Sequence, residues 1–115
     1  MIEGTWTLVS GEQDGQQISD EVLQSAKLNI VGEKHTVQLG EDEMAGTHKL
    51  DGNRTPMTID ASDTSGPFSG QTLLGIFKLE GDLFTVCFAA SGNDRPADFS
   101  TKDGKAAILH TWKRV

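Results

Sequence analysis

The chain has 115 residues and a formal net charge of −7, with a sequence pI near 4.7. This length predicts one domain spanning residues 1–115, and the acidity argues against nucleic acids and anionic membranes as partners, because both require basic patches. Hydrophobic residues make up 36% of the chain and charged residues 23%, which is typical of a globular protein rather than a disordered one.

The sequence also limits where we expect the protein to work. No apolar run approaches the roughly 18 residues that a membrane helix needs. The first residues contain no basic segment followed by an apolar stretch, so we expect no signal peptide in this chain and a cytoplasmic or otherwise soluble domain. Cys87 is the single cysteine, which excludes an internal disulfide, and its apolar neighbours predict a buried, inert thiol.

The first predicted elements are a β-strand over residues 4–10, a polar loop and a short helix. The strand segment alternates apolar and polar side chains and is rich in residues that favour strands. Ser19 is a suitable N-cap, and Asp20 and Glu21 place negative charge in the first helical turn. These features predict one helix over residues 19–26.

From residue 27 onward the pattern is one of short strands separated by turns that contain Gly, Asp and Asn. The predicted strands cover residues 28–31, 34–39, 44–50, 56–61, 73–79, 83–89 and 106–114. Residues 62–71 and 91–105 are long, polar and contain Gly and Pro, which predicts loops at the rim of a cavity, with a candidate anchor from Arg95 to Phe99.

The number and order of these elements predict the fold class. Eight antiparallel strands with short turns and one early helix indicate an all-β, up-and-down barrel, which closes on itself and so leaves no exposed sheet edge. A barrel of this size has room for a packed interior or for one small ligand.

Several motifs resemble a known family. Gly4-Thr-Trp6 near the start and Arg114 near the end resemble the lipocalin and calycin signature, in which an arginine of the last strand packs over the tryptophan that closes the barrel base. Motifs along the whole chain are similar to an uncharacterised family of lipocalin-like domains from planctomycete bacteria. They are Gly4-Thr-Trp6, Asp14-Gly15, Lys49-Leu-Asp51, Pro56-Met-Thr-Ile-Asp60, Gly75-Ile-Phe-Lys-Leu-Glu-Gly81-Asp82, Cys87, Arg95-Pro96 and Phe99. The resemblance implies a lipocalin-like barrel and no particular activity, ligand or catalytic residue.

The candidate functional residues are the three histidines, His35, His48 and His110, which lie in three different predicted strands. Alternate side chains of a strand share a face, and each histidine has the parity of the apolar residues in its strand, although Leu109 weakens the pattern in the last strand. We therefore predict that all three point into the barrel. His35 and His48 are expected to be neighbours, with Cβ atoms within about 5–8 Å of each other.

Three neutral imidazoles can bind a zinc-like divalent ion and leave one coordination position open, and water bound there has a pKa near 7. This chemistry predicts a metal site at His35, His48 and His110 and a metal-dependent hydrolase of activated esters or phosphoesters. A single histidine, however, is more often a hydrogen-bonded or surface residue than a metal ligand. Two alternatives therefore stay open: a metal-free lipocalin-like binding module for a small apolar ligand, and a structural domain without catalysis. The expected partner is a small-molecule ligand or substrate. The sequence does not identify this molecule, the catalytic residues or the oligomeric state.

Overall fold

A computed structural model describes residues 2–67, 69–101 and 106–115, and in them the chain forms a closed antiparallel β-barrel. This confirms the predicted all-β fold class. In chain order the elements are β1 (Gly4–Gln13), β2 (Gln16–Gln17), α1 (Asp20–Ser25), β3 (Lys27–Val31), β4 (Lys34–Leu39), β5 (Asp42–Asp51), β6 (Met57–Ser65), β7 (Thr72–Glu80), β8 (Leu83–Phe88) and β9 (Ile108–Arg114).

The barrel wall has eight strands, because β2 adds only a two-residue extension to the end of β1. From β3 to β9 each strand pairs with the next one along the chain, and β1 pairs with both β3 and β9, which closes the ring. In a ring of eight strands, β5 and β9 are four strands apart in either direction. They therefore lie on opposite walls of the barrel.

The short helix begins as the sequence predicts. The Ser19 side chain accepts a hydrogen bond from the backbone N–H of Val22, and acidic residues occupy the first turn. The helix contacts β1 and β4, and Leu23, together with the preceding Ile18, packs against the barrel core. No helix within the described residues is both long and apolar enough to cross a membrane.

One end of the barrel is closed by the predicted tryptophan–arginine pair. Trp6 is fully buried, and its indole Nε1–H donates a hydrogen bond to the Ile2 carbonyl at 3.0 Å. The Arg114 guanidinium lies 4.2 Å above the Trp6 ring, which is cation–π geometry. Gly4 has a φ of +129°, and a Cβ there would lie 2.9 Å from Arg114 Nη1, so glycine lets the chain pass under the guanidinium.

Two strands run three or more residues further than the sequence predicts. β1 continues to Gln13 because its second half pairs with β9, and β6 continues to Ser65 because its end pairs with β5. The residues added are mostly polar, and their composition predicted loops. Backbone ladder hydrogen bonds do not depend on side-chain polarity, so neighbouring strands extend the pairing through polar residues.

The described part of the second long loop packs on the outside of the barrel. Phe99 joins an outer cluster with Ile76 and Cys87, and the Cys87 side chain is fully buried, as predicted. The Arg95 side chain donates hydrogen bonds to two backbone carbonyls and pairs with Asp60 at 2.7 Å. These contacts of Arg95 and Phe99 confirm the predicted anchor. None of residues 91–101 is among the residues that line the internal cavity, and a place for this loop at the cavity rim stays a prediction. The rest of that predicted loop, residues 102–105, lies outside the described residues.

Candidate functional site

The barrel interior contains a cavity of about 130 Å³. Aliphatic and aromatic side chains form most of its wall, with Trp112, Phe84 and Phe88 among the aromatic ones. The polar side chains that line it within the described residues are Gln13, His35, His48, Asp63 and His110. The cavity is therefore an apolar space with a few fixed polar groups, which is the usual composition of a small-molecule site.

All three histidines line this single cavity, as their strand parity predicts. His35 comes from β4, His48 from β5 and His110 from β9. His35 and His48 are the neighbours that we predicted, with Nδ1 atoms 3.1 Å apart and ring centroids 5.3 Å apart in a stacked arrangement.

Asp63 completes a cluster with the two neighbouring histidines. Its Oδ1 lies 2.8 Å from Nε2 of His35, and both side chains are largely buried. We refer to His35, His48 and Asp63 as the histidine–aspartate cluster. Asp63 was not predicted as a site residue, because the polar composition of residues 62–71 predicts a loop, although Asp63 has the same parity as Ile59 and Ala61 in β6.

Gly46 makes the contact between His35 and Asp63 geometrically feasible. In the sheet ladder Gly46 lies between them, opposite His35 on one side and opposite Asp63 on the other. A Cβ on Gly46 would lie 2.1 Å from the Ser62 carbonyl oxygen and 2.7 Å from the Asp63 Cα. The missing side chain therefore allows β5 and β6 to approach closely and leaves the two flanking side chains room to meet.

The direction of the hydrogen bonds in the cluster follows from the chemistry of its groups. An ionised Asp63 can only accept, so Nε2 of His35 donates to it. If His35 is neutral, its Nδ1 is an acceptor, and Nδ1–H of His48 donates to it. Nε2 of His48 is then a lone pair, and this buried atom has no hydrogen-bond partner within the described residues.

His48 is held in a neutral state by its surroundings. Burial, followed by the nearby imidazole of His35, lowers the pKa of His48 below its usual 6.5. The backbone carbonyl of Gly32 and the carboxylates of Glu33 and Glu3 act in the opposite direction and do not overcome the desolvation.

His110 is separated from this cluster by the width of the barrel. It projects from β9, on the wall opposite β5, and its ring makes an edge-on contact with Trp112 at 5.7 Å between centroids. Burial lowers the pKa of His110 to about 4, so its imidazole is neutral at pH 7. The cavity thus has a neutral imidazole on one wall and the histidine–aspartate cluster on the other.

The positions of the histidines bear on the predicted metal site. In the described residues there is no group of three or more His, Cys, Asp or Glu side chains placed to hold a metal ion. His35 and His48 are in contact, whereas His110 faces them across the cavity. Zinc binding by the three histidines stays a prediction.

Fold and cavity together define a class: a small closed β-barrel with an apolar internal cavity and histidines in the cavity wall. No family model matches the chain, and no curated protein matches it. The solved structure of a DUF4847-family protein from Bacteroides vulgatus ATCC 8482 is similar to it, with a TM-score of 0.57 and 11% sequence identity over 98% of this chain and 93% of that one. At this identity the similarity supports the fold alone.

Proposed function

We propose that this protein is a binding module that holds one small, mainly apolar ligand inside its barrel, in the manner of a lipocalin. The observation that carries the proposal is the internal cavity, lined by apolar side chains and by a few buried polar groups. A barrel made only to be stable would gain by filling this space, because unfilled cavity volume lowers stability. Assignment to the lipocalin-like planctomycete family is part of this proposal and rests on the sequence motifs.

The size of the cavity limits the ligand to about one ring. Engineered apolar cavities of about 150 Å³ bind benzene, whereas sites for drug-sized ligands measure about 300–1,000 Å³. The cavity in this barrel, at about 130 Å³, is close in volume to the cavities that bind benzene. We therefore expect ligands with a single six-membered ring, or a compact aliphatic body of the same volume.

Intrinsic fluorescence offers a direct test, because Trp112 lines the cavity and Trp6 is not among the lining residues. These two residues are the tryptophans of the chain. Titration with benzyl alcohol should change the emission of Trp112 in a saturable way and raise the unfolding temperature. Trp112→Phe should abolish the fluorescence response and keep the thermal stabilisation.

A cavity-filling variant provides the matched control. Ala61 lines the cavity, so Ala61→Leu should occupy part of the space and weaken binding of the same ligand. If ligands of one-ring size neither change the fluorescence nor raise the unfolding temperature of the wild-type protein, the binding proposal is wrong.

The zinc-dependent hydrolase is the second candidate, supported by the fact that the three histidines line one cavity. Equilibrium dialysis against zinc tests it without any assumption about a substrate. One ion per chain, lost in each of His35→Ala, His48→Ala and His110→Ala, would favour the hydrolase. Binding that survives His110→Ala would exclude the three-histidine site.

A further inference from the structure

We infer that the ligand of this cavity is a monocationic amine with one ring-sized apolar body, and that the Asp63 carboxylate binds its ammonium group. This inference rests on the proposed binding function and specifies its ligand class.

The charges of the cavity wall favour a cation over an anion. Asp63 is the acidic residue of the lining, and neither lysine nor arginine is among the described residues that line the cavity. His48 and His110, whose pKa values are lowered by burial, supply no positive charge at neutral pH. A carboxylate or phosphate ligand would therefore be placed beside a buried carboxylate without a lysine or arginine in the lining to compensate for it.

Asp63 has the geometry of a binding group rather than that of a fully paired structural one. Its Oδ1 accepts from His35, whereas Oδ2 takes part in no hydrogen bond within the described part of the chain. The Asp63 side chain keeps 12% of its surface accessible. Its backbone is fixed, because its carbonyl accepts from Gly70 N–H and its N–H donates to the Gln71 carbonyl. The carboxylate is therefore held in place with one oxygen available.

The rest of the cavity suits the remainder of such a ligand. Phe84, Phe88 and Trp112 provide aromatic surface for a ring and for the carbon next to an ammonium group. The net charge of −7 raises the local concentration of cations around the protein and disfavours the approach of anions.

Three probes of nearly equal size separate charge from shape: benzylamine, benzyl alcohol and benzoate. We expect wild-type protein to bind benzylamine at least about tenfold more tightly than benzyl alcohol, and benzoate more weakly than either, as measured by calorimetric titration. Asp63→Asn keeps an acceptor for His35 and removes the charge, so the preference for benzylamine should fall to within about twofold. Glu41→Gln makes the same change in net charge on an exposed turn and should leave the preference intact.

The outcomes distinguish this inference from the binding proposal on which it rests. If wild-type protein binds benzyl alcohol or benzoate as tightly as benzylamine, or if Asp63→Asn keeps the preference for benzylamine, the amine assignment is wrong and the binding barrel stands. If none of the three probes binds, the binding proposal itself fails. The wild-type comparison decides the question even if Asp63→Asn does not fold.

Discussion

The Nδ1 atoms of His35 and His48 lie 3.1 Å apart inside the barrel, so one ring must donate a hydrogen bond and the other must accept it. If His35 is neutral, its contact with Asp63 sets the direction, because Nε2–H of His35 donates to the ionised carboxylate and Nδ1 of His35 is then the acceptor. If both rings were doubly protonated, two N–H groups would face each other across this distance. With a neutral His35, the proton positions on the two rings are therefore linked to the hydrogen bond that Asp63 accepts.

This arrangement predicts an uncommon tautomer for His48. When His35 is neutral, we expect His48 to carry its proton on Nδ1 and His35 to carry its proton on Nε2. Nitrogen-15 NMR of the imidazole rings distinguishes the two tautomers directly. An Nε2–H proton on His48 beside a neutral His35 would contradict the proposed order of donors and acceptors.

His110 predicts a specific dependence of stability on pH. Burial places its folded-state pKa at about 4, against about 6.5 in the unfolded chain, so the unfolded chain binds more protons between these values. The contribution of neutral His110 to stability is therefore complete above pH 6.5 and is lost as the pH falls towards 4. At pH 4 the free energy of unfolding is therefore lower by about 3 kcal/mol than it is above pH 6.5, from His110 alone.

Urea unfolding of wild-type protein and His110→Gln at several pH values between 7.5 and 4 measures this effect. Because glutamine does not titrate, the free energy of unfolding should fall more steeply with acidification in the wild type than in the variant. The difference between the two curves isolates His110 from the carboxylates, which titrate in both proteins. Parallel curves would mean that His110 is as well solvated in the folded state as in the unfolded chain.

Strand parity was enough to predict the barrel and the inward direction of the three histidines, because each histidine follows the apolar alternation of its strand. It was not enough to predict the site. That His48 and His110 lie on opposite walls depends on the number of strands around the ring, which is a global property. Asp63 joins the cluster because β6 continues past Ala61, and this continuation depends on pairing with β5 rather than on local composition.

Trp6→Ala should be among the most destabilising single changes at the closed end of the barrel. The substitution removes a fully buried indole and its contact with the Arg114 guanidinium, at a cost of about 3–5 kcal/mol. Arg114→Gln should cost less, about 0.5–2 kcal/mol from the lost cation–π contact.

Val9→Ala, at a side chain that is 48% exposed in the same strand, serves as the control and should change stability little. Equal effects of Trp6→Ala and Val9→Ala in chemical denaturation would contradict the burial of Trp6 in the barrel core.

Gly46→Ala tests the contact that brings His35 and Asp63 together. The added methyl would lie 2.1 Å from the Ser62 carbonyl oxygen, which is a backbone atom, so β5 and β6 would have to separate locally. We expect a loss of about 3 kcal/mol or more in the free energy of unfolding, because overpacking against backbone is not relieved by a side-chain rotation.

Gly81→Ala is the matched control for this glycine. Its φ is +60°, and a Cβ there meets nothing within 4 Å, so the strain of the left-handed backbone is the only cost, about 1 kcal/mol. The imidazole NMR signals provide a second measurement that does not depend on global stability. In Gly46→Ala the His35 signals should shift because the hydrogen bond to Asp63 lengthens, whereas in Gly81→Ala they should not move. A stable Gly46→Ala protein with unchanged His35 signals would show that the cluster does not depend on the close approach of these two strands.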